Sequence, residues 1–137
     1  MTGYGGYAVK FSPYFNDRLA VAAAKNFGLV GNGALFALRM TAEGVIADRI
    51  YHTQDALYDV AYSESNENQI VAGCGNGTVY LFDTNVPDHP VATWKEHSKE
   101  VYATSWNLIN KDTFATSSWD GTIKIVSSTR KGSRFCC

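Results

Sequence analysis

Trp119-Asp120-Gly121, set between the runs 113–117 and 122–127, decides the fold. Both runs are short and rich in Thr, Ile, Val and Phe, the composition of β-strands. An Asp-Gly pair between such runs reads as a two-residue β-turn, because these residues accept positive φ at little steric cost. The same layout stands at Gly75-Asn76-Gly77, between 69–73 and 78–84, and at Gly31-Asn32-Gly33, between 19–24 and 34–40.

Upstream of each hairpin lies another strand-like run. These runs are Tyr7-Ala8-Val9-Lys10-Phe11-Ser12-Pro13, Leu57-Tyr58-Asp59-Val60-Ala61-Tyr62-Ser63 and Val101-Tyr102-Ala103-Thr104-Ser105-Trp106-Asn107. Their first residues are 50 and then 44 apart, near the period of about 40–45 residues found in WD40 repeats. Outer, fourth strands fit 45–52 and 90–96, and none is visible after Ser127. No stretch carries helical periodicity. The expectation is an all-β chain, a WD40-type β-propeller fragment of about three four-stranded blades with the last one incomplete. The blades fall at about 7–52, 57–96 and 101–126, inside a partial propeller of residues 1–126, and a divergent tail occupies 127–137.

Composition removes several function classes. With 45% hydrophobic and 18% charged residues over 137 positions, the chain suits one globular domain. A net charge of −1 gives no basic field for nucleic acid or an anionic membrane. No apolar run approaches the roughly 20 residues of a membrane helix, and the first residues lack the pattern of a secretory signal. Cys74, Cys136 and Cys137 form no disulfide framework, so a reducing cytoplasmic setting is expected. The Cys-Cys end has no context for prenylation, and Asn76-Gly77-Thr78 is an incidental glycosylation match. His52, His89, His97 and Cys74 lack paired ligand spacing, so no metal is expected, and no cofactor.

His97, Thr116 and Asp120 form the most specific local constellation. In WD40 blades the hairpin Asp bonds a His of the preceding loop, and that His bonds a Ser or Thr of the second strand. A buried carboxylate needs such partners, which gives the three residues a structural role. A catalytic reading with Ser117 or Ser118 as nucleophile lacks a strained nucleophile turn and an oxyanion hole, so no enzyme is expected. The Trp that normally completes the set is replaced by Val126, and by Phe82 in the second unit, which also has Asn76 for Asp. Replacing Trp by Val at a core position is expected to cost about 2–4 kcal/mol.

Propellers present ligands at the loops entering the first strand and at the second hairpin. That face places Glu100, Tyr102 and Trp119 in the third unit, and Asp55, Ala56 and Tyr58 with Gly75 in the second. Aromatic rings beside carboxylates suit a peptide bearing Arg or Lys.

Further segments carry a resemblance. Gly6-Tyr7-Ala8-Val9-Lys10-Phe11-Ser12-Pro13-Tyr14-Phe15, Arg18-Leu19-Ala20-Val21-Ala22, Asn26-Phe27-Gly28-Leu29-Val30-Gly31-Asn32-Gly33, Thr53-Gln54-Asp55 and Lys95-Glu96-His97 resemble the peroxin 7 family of receptors for type-2 peroxisomal targeting signals. The likeness covers about residues 3–125. It implies a receptor for an N-terminal cargo peptide with basic and apolar positions, shuttling between cytoplasm and peroxisome. Its implied partners are the cargo, a co-receptor (the long form of peroxin 5 or a fungal counterpart) and the peroxisomal docking complex. On that likeness Asp55 and Glu100 meet the cargo's basic side chains, while Tyr58, Tyr102 and Trp119 follow from the face. The alternative is a WD40 scaffold for another complex. The family runs to about twice this length or more, and the drift after Ile125 leads us to expect an alternative splice form, a truncated gene model or a frameshift. Three blades cannot close a ring, so poor solubility and weak cargo binding are expected of the chain alone.

Overall fold

The computed structural model describes residues 3–26, 32–128 and 133–136. Their strands form three four-stranded antiparallel sheets, each ordered in space as in sequence. The first holds β1 (Tyr4–Phe11), β2 (Arg18–Lys25), β3 (Gly33–Thr41) and β4 (Gly44–Thr53). The second holds β5 (Leu57–Tyr62), β6 (Gln69–Cys74), β7 (Val79–Asp83) and β8 (Ala92–Trp94). The third holds β9 (Val101–Trp106), β10 (Thr113–Ser118), β11 (Ile123–Ser127) and β12 (Ser133–Cys136).

Two features depart from the sequence reading. No strand was expected after Ser127, yet β12 pairs with β11, setting Lys124 opposite Cys136 and Ile125 opposite Phe135. An outer strand needs only the free backbone groups of its neighbour's edge, so four residues without apolar alternation suffice. The hairpin loops differ as well, having three residues rather than two. Gly77 N–H donates to the Cys74 carbonyl and Cys74 N–H to that of Thr78, and Ser118, Gly121 and Thr122 repeat the pattern. Only the glycines take positive φ, +87° at Gly77 and +84° at Gly121, which is a type I turn closed by a glycine bulge. The loop containing Gly31 falls outside the described residues.

Period-2 alternation builds the core between sheets. On β2, Ala20 and Ala22 face the second sheet, where they join Leu57, Val60, Ile70, Ala72 and Phe82. Val21 and Ala23 point the other way, to Ala34 and Phe36. The second sheet is packed on both faces: Ile70, Ala72 and Cys74 meet the first sheet, while Val71 meets Val101, Trp106, Phe114 and Val126 of the third. Accordingly β6 is buried from Ile70 to Cys74. Val126 is 1% exposed beside the stacked pair of Trp106 and Phe114, whose centroids are 5.3 Å apart, so it occupies a core position.

Sheet-to-sheet contact also explains Gly77. A Cβ there would lie 2.2 Å from the His97 carbonyl oxygen, because the second sheet's hairpin abuts the loop entering the third. Glycine meets both demands, the close approach and the positive φ.

Candidate functional site

The register shows why the inner strands carry an aromatic series. Each of β1, β5 and β9 contains a bulge facing its second strand, and the skipped residue is Tyr7, Tyr58 and Tyr102 respectively. A bulge leaves its extra residue out of the ladder and re-aims its side chain. The repeats therefore align on these tyrosines: Tyr7-Ala8-Val9, Tyr58-Asp59-Val60 and Tyr102-Ala103-Thr104. Aligning Tyr7 with Leu57 and Val101, as the sequence reading did, is one residue off and hides Tyr7 as a member of the site. A single-residue shift of the first unit would have revealed it.

The rings make one continuous run across three sheets. Tyr7 meets Tyr58 edge-on at 5.1 Å, Tyr58 meets Tyr102 at 4.6 Å, and Tyr102 meets Trp119 at 4.7 Å between centroids. Trp119 comes from the β10–β11 hairpin, held where its backbone N–H donates to the Glu100 carbonyl at 3.1 Å. It is 69% exposed, and Tyr7 is 45% exposed, so the run opens to solvent at both ends. The corresponding hairpin position in the second sheet is Gly75, whose N–H donates to the Ala56 carbonyl at 2.8 Å.

Asp55 and Glu100 flank the run and act on Tyr58 through space. Burial, then the neighbouring Tyr102 and Tyr7, then these two carboxylates push the Tyr58 phenol up to about 12, so it stays a protonated hydrogen-bond donor. Asp55 Oδ1 accepts the Ala56 N–H at 2.8 Å, which orients the carboxylate. Its carboxylate atoms lie 3.1–3.2 Å from where a Cβ on Gly75 would sit, so only glycine leaves it this uncovered. Ala56, grouped with the exposed candidates from sequence, is fully buried and contributes only its backbone. A small apolar side chain at the strand entrance packs into the core, while its charged neighbours remain outside.

One carboxylate ties the three inner strands that carry the rings. Asp59 Oδ1 is 3.8 Å from Lys10 Nζ on β1, and Asp59 Oδ2 accepts the Thr104 N–H of β9 at 2.9 Å.

His97, Thr116 and Asp120 come together beneath the third sheet's end of the run. His97 Nδ1 lies 2.9 Å from Asp120 Oδ2, and Nε2 lies 2.8 Å from Thr116 Oγ1. These partners assign the proton to Nδ1, leaving Nε2 to accept from the Thr116 hydroxyl. Asp120 also accepts from Thr122 Oγ1 at 2.6 Å, from Thr122 N–H at 2.9 Å and from Ser98 N–H at 3.1 Å. Burial by itself would raise the Asp120 pKa, but the Thr122 hydroxyl, His97 and the two amides outweigh it and hold the group well below the carboxylate range. His97 is buried, its side chain 0% exposed, and Ser118 Oγ donates to the Lys99 carbonyl at 3.1 Å rather than to His97. The cluster joins the entering loop, the second strand and the hairpin that carries Trp119. In the second sheet the matching residues are Thr53, Ala72 and Asn76; of the set, the turn bond from the Thr78 N–H to Asn76 Oδ1 is retained, at 3.0 Å.

Among the described residues no three His, Cys, Asp or Glu side chains are grouped to hold a metal ion, and no helix is long and apolar enough to cross a membrane.

The chain is similar to several known proteins along most of its length. It is 52% identical over 134 residues to the peroxisomal targeting signal 2 receptor of Saccharomyces cerevisiae, covering 97% of this chain and 36% of that protein. It is 42% identical to peroxisome biogenesis protein 7 of Arabidopsis thaliana, covering 95% of this chain and 42% of the relative. Against the human peroxisomal targeting signal 2 receptor the identity is 38%, over 90% of this chain and 38% of the relative. The chain thus spans about two fifths of the length of these relatives. A chain from the crystal structure of a mitotic checkpoint complex superposes with a TM-score of 0.80 at 18% identity, over 100% of this chain and 40% of that one, which speaks to fold alone. The family model for the WD domain, G-beta repeat, matches residues 48–83 and 88–127. With more than half of its length matched and its three sheets built as successive blades, the chain belongs to the WD40 repeat family.

Proposed function

We propose that this chain forms part of a receptor for the type-2 peroxisomal targeting signal, binding a basic N-terminal cargo peptide along the aromatic run. One observation carries the reading. Four rings from three blades, Tyr7, Tyr58, Tyr102 and Trp119, meet in sequence beside Asp55 and Glu100, in a chain similar to proteins named as that receptor. Guanidinium or ammonium groups lie favourably over such rings, and nearby carboxylates add ion pairing at the cost of little new order. The function is binding without catalysis. Its His–Asp pair is buried and serves the hairpin, and the receptor names of the relatives fit that role. Cargo, a peroxin 5-type or fungal co-receptor and the peroxisomal docking complex are the partners, and the protein shuttles between cytoplasm and peroxisome.

The test is a fluorescence anisotropy titration with a labelled targeting peptide, using this chain and the same segment inside a full-length relative. The double change Asp55→Lys with Glu100→Lys should abolish binding of the basic peptide, and a peptide whose basic residues are alanine should bind neither version. Undiminished binding after both reversals would overturn the assignment of these carboxylates.

A further inference from the structure

A second site lies away from the aromatic run, in the groove between the outer part of the first blade and the second blade. It encloses about 290 Å3 and is lined by Arg18, Arg39, Asp48 and Arg49 from one side and by Asn68 and Thr84 from the other. Two of the arginines are largely engaged. Arg39 sets its Nε and Nη2 on the Asp48 carboxylate at 3.2–3.3 Å. Arg49 Nε donates to the Thr84 carbonyl at 2.9 Å, and its Nη1 to the Asp48 carbonyl at 3.3 Å.

Arg18 differs. Its guanidinium lies over the Phe15 ring, 3.9 Å from the centroid, and its Nε is buried with no acceptor among the described residues. Folded proteins leave few buried donors unpaired, and a charged one is the most costly to leave so. Asn68 Oδ1 accepts from Thr84 Oγ1 at 3.3 Å, which turns the Asn68 amide nitrogen free as a further donor. Among the residues lining the groove, three guanidinium groups face one carboxylate, that of Asp48.

We propose that this groove is an oxyanion site that takes a phosphoryl group, with Arg18 as its principal ligand. The chemistry favours phosphoryl over carboxylate. Asp48 already supplies the planar carboxylate that one guanidinium fork matches. The donors that remain, on Arg18, Arg49 and Asn68, approach from different elements, as the oxygens of a tetrahedral anion require. A bound phosphoryl group would also join the first blade to the second, since its ligands come from both.

The test titrates inorganic phosphate into the isotopically labelled chain at constant ionic strength and follows the arginine Nε–Hε resonances. Arg18 Nε–Hε should shift saturably. Arg18→Lys, which keeps the charge but removes the fork, and Arg49→Gln should each weaken binding at least about tenfold, with the remaining spectrum still dispersed as in a folded chain. A shift that rises without saturation, or that chloride reproduces, would overturn the site, as would unchanged affinity in both variants. A phosphoserine peptide compared with its unphosphorylated form separates the sources. Tighter binding than inorganic phosphate assigns a protein-borne group, and equal or weaker binding assigns free phosphate.

Discussion

Asp120 shows how one side chain can serve several elements. Its four bonds close its own hairpin through Thr122, hold His97 and Ser98 of the entering loop, and so fix the backbone beneath Trp119. Asp120→Ala should cost about 2–4 kcal/mol, since it removes charge-assisted bonds and takes the carboxylate away from a buried imidazole. The acid response follows from the depressed pKa. The stability that Asp120 supplies is fully present above its unfolded value of 3.8 and is lost as pH falls through the lower folded value. Thermal melts should therefore show the gap between the native chain and Asp120→Asn narrowing below about pH 4 and constant above it. A gap unchanged down to the acid limit would deny the carboxylate this role. On the proposed binding face, Tyr102→Ala breaks the ring series at its centre. It should weaken a basic peptide by about 1–2 kcal/mol, roughly tenfold in Kd, in the same anisotropy assay.

Strands and hairpins were the most legible level of the sequence. Short apolar runs divided by Asn-Gly and Asp-Gly place β2, β3, β6, β7, β10 and β11 within one or two residues of their ends. The hairpins' third loop residue and the bulges were not legible, because both are settled by backbone hydrogen bonds that leave no compositional trace. Gly77 is the sharpest test at this scale. Gly77→Ala combines an unfavourable φ with a Cβ 2.2 Å from the His97 carbonyl oxygen, and should destabilise by at least about 2 kcal/mol in urea titrations. Gly121→Ala has the same φ problem but open space around its Cβ, so it should cost less, about 1 kcal/mol. Equal losses at the two positions would show that contact with the next blade is not what the glycine protects.

The three blades of the whole molecule are unequal. The second is packed on both faces, while the outward faces of the first and third expose Met40, Val45 and Ile50 on one side and Ile123 on the other. Hydrogen exchange should rank accordingly. The β6 amides of Val71 and Ala72 are expected to be the slowest, and those of β12, an edge strand of four residues, among the fastest. Faster exchange in β6 than in β1 would contradict the packing.

Sequence by itself determined the all-β class, the repeat and the WD40 cluster of His97, Thr116 and Asp120, and it proposed Asp55, Tyr58, Glu100, Tyr102 and Trp119 for the binding face. These rest on local chemistry: turn residues, strand alternation, and polar types at set spacing from a hairpin. Only the tertiary structure decided that Tyr7 belongs with Tyr58, Tyr102 and Trp119, because a bulge moves each tyrosine out of the ladder and the meeting of rings depends on how neighbouring blades pack. It likewise decided that Ala56 is buried, that β12 completes the third sheet, and that Arg18, Arg39 and Arg49 share one groove. Such facts join residues distant in the chain, and distance in space is what a linear pattern does not carry.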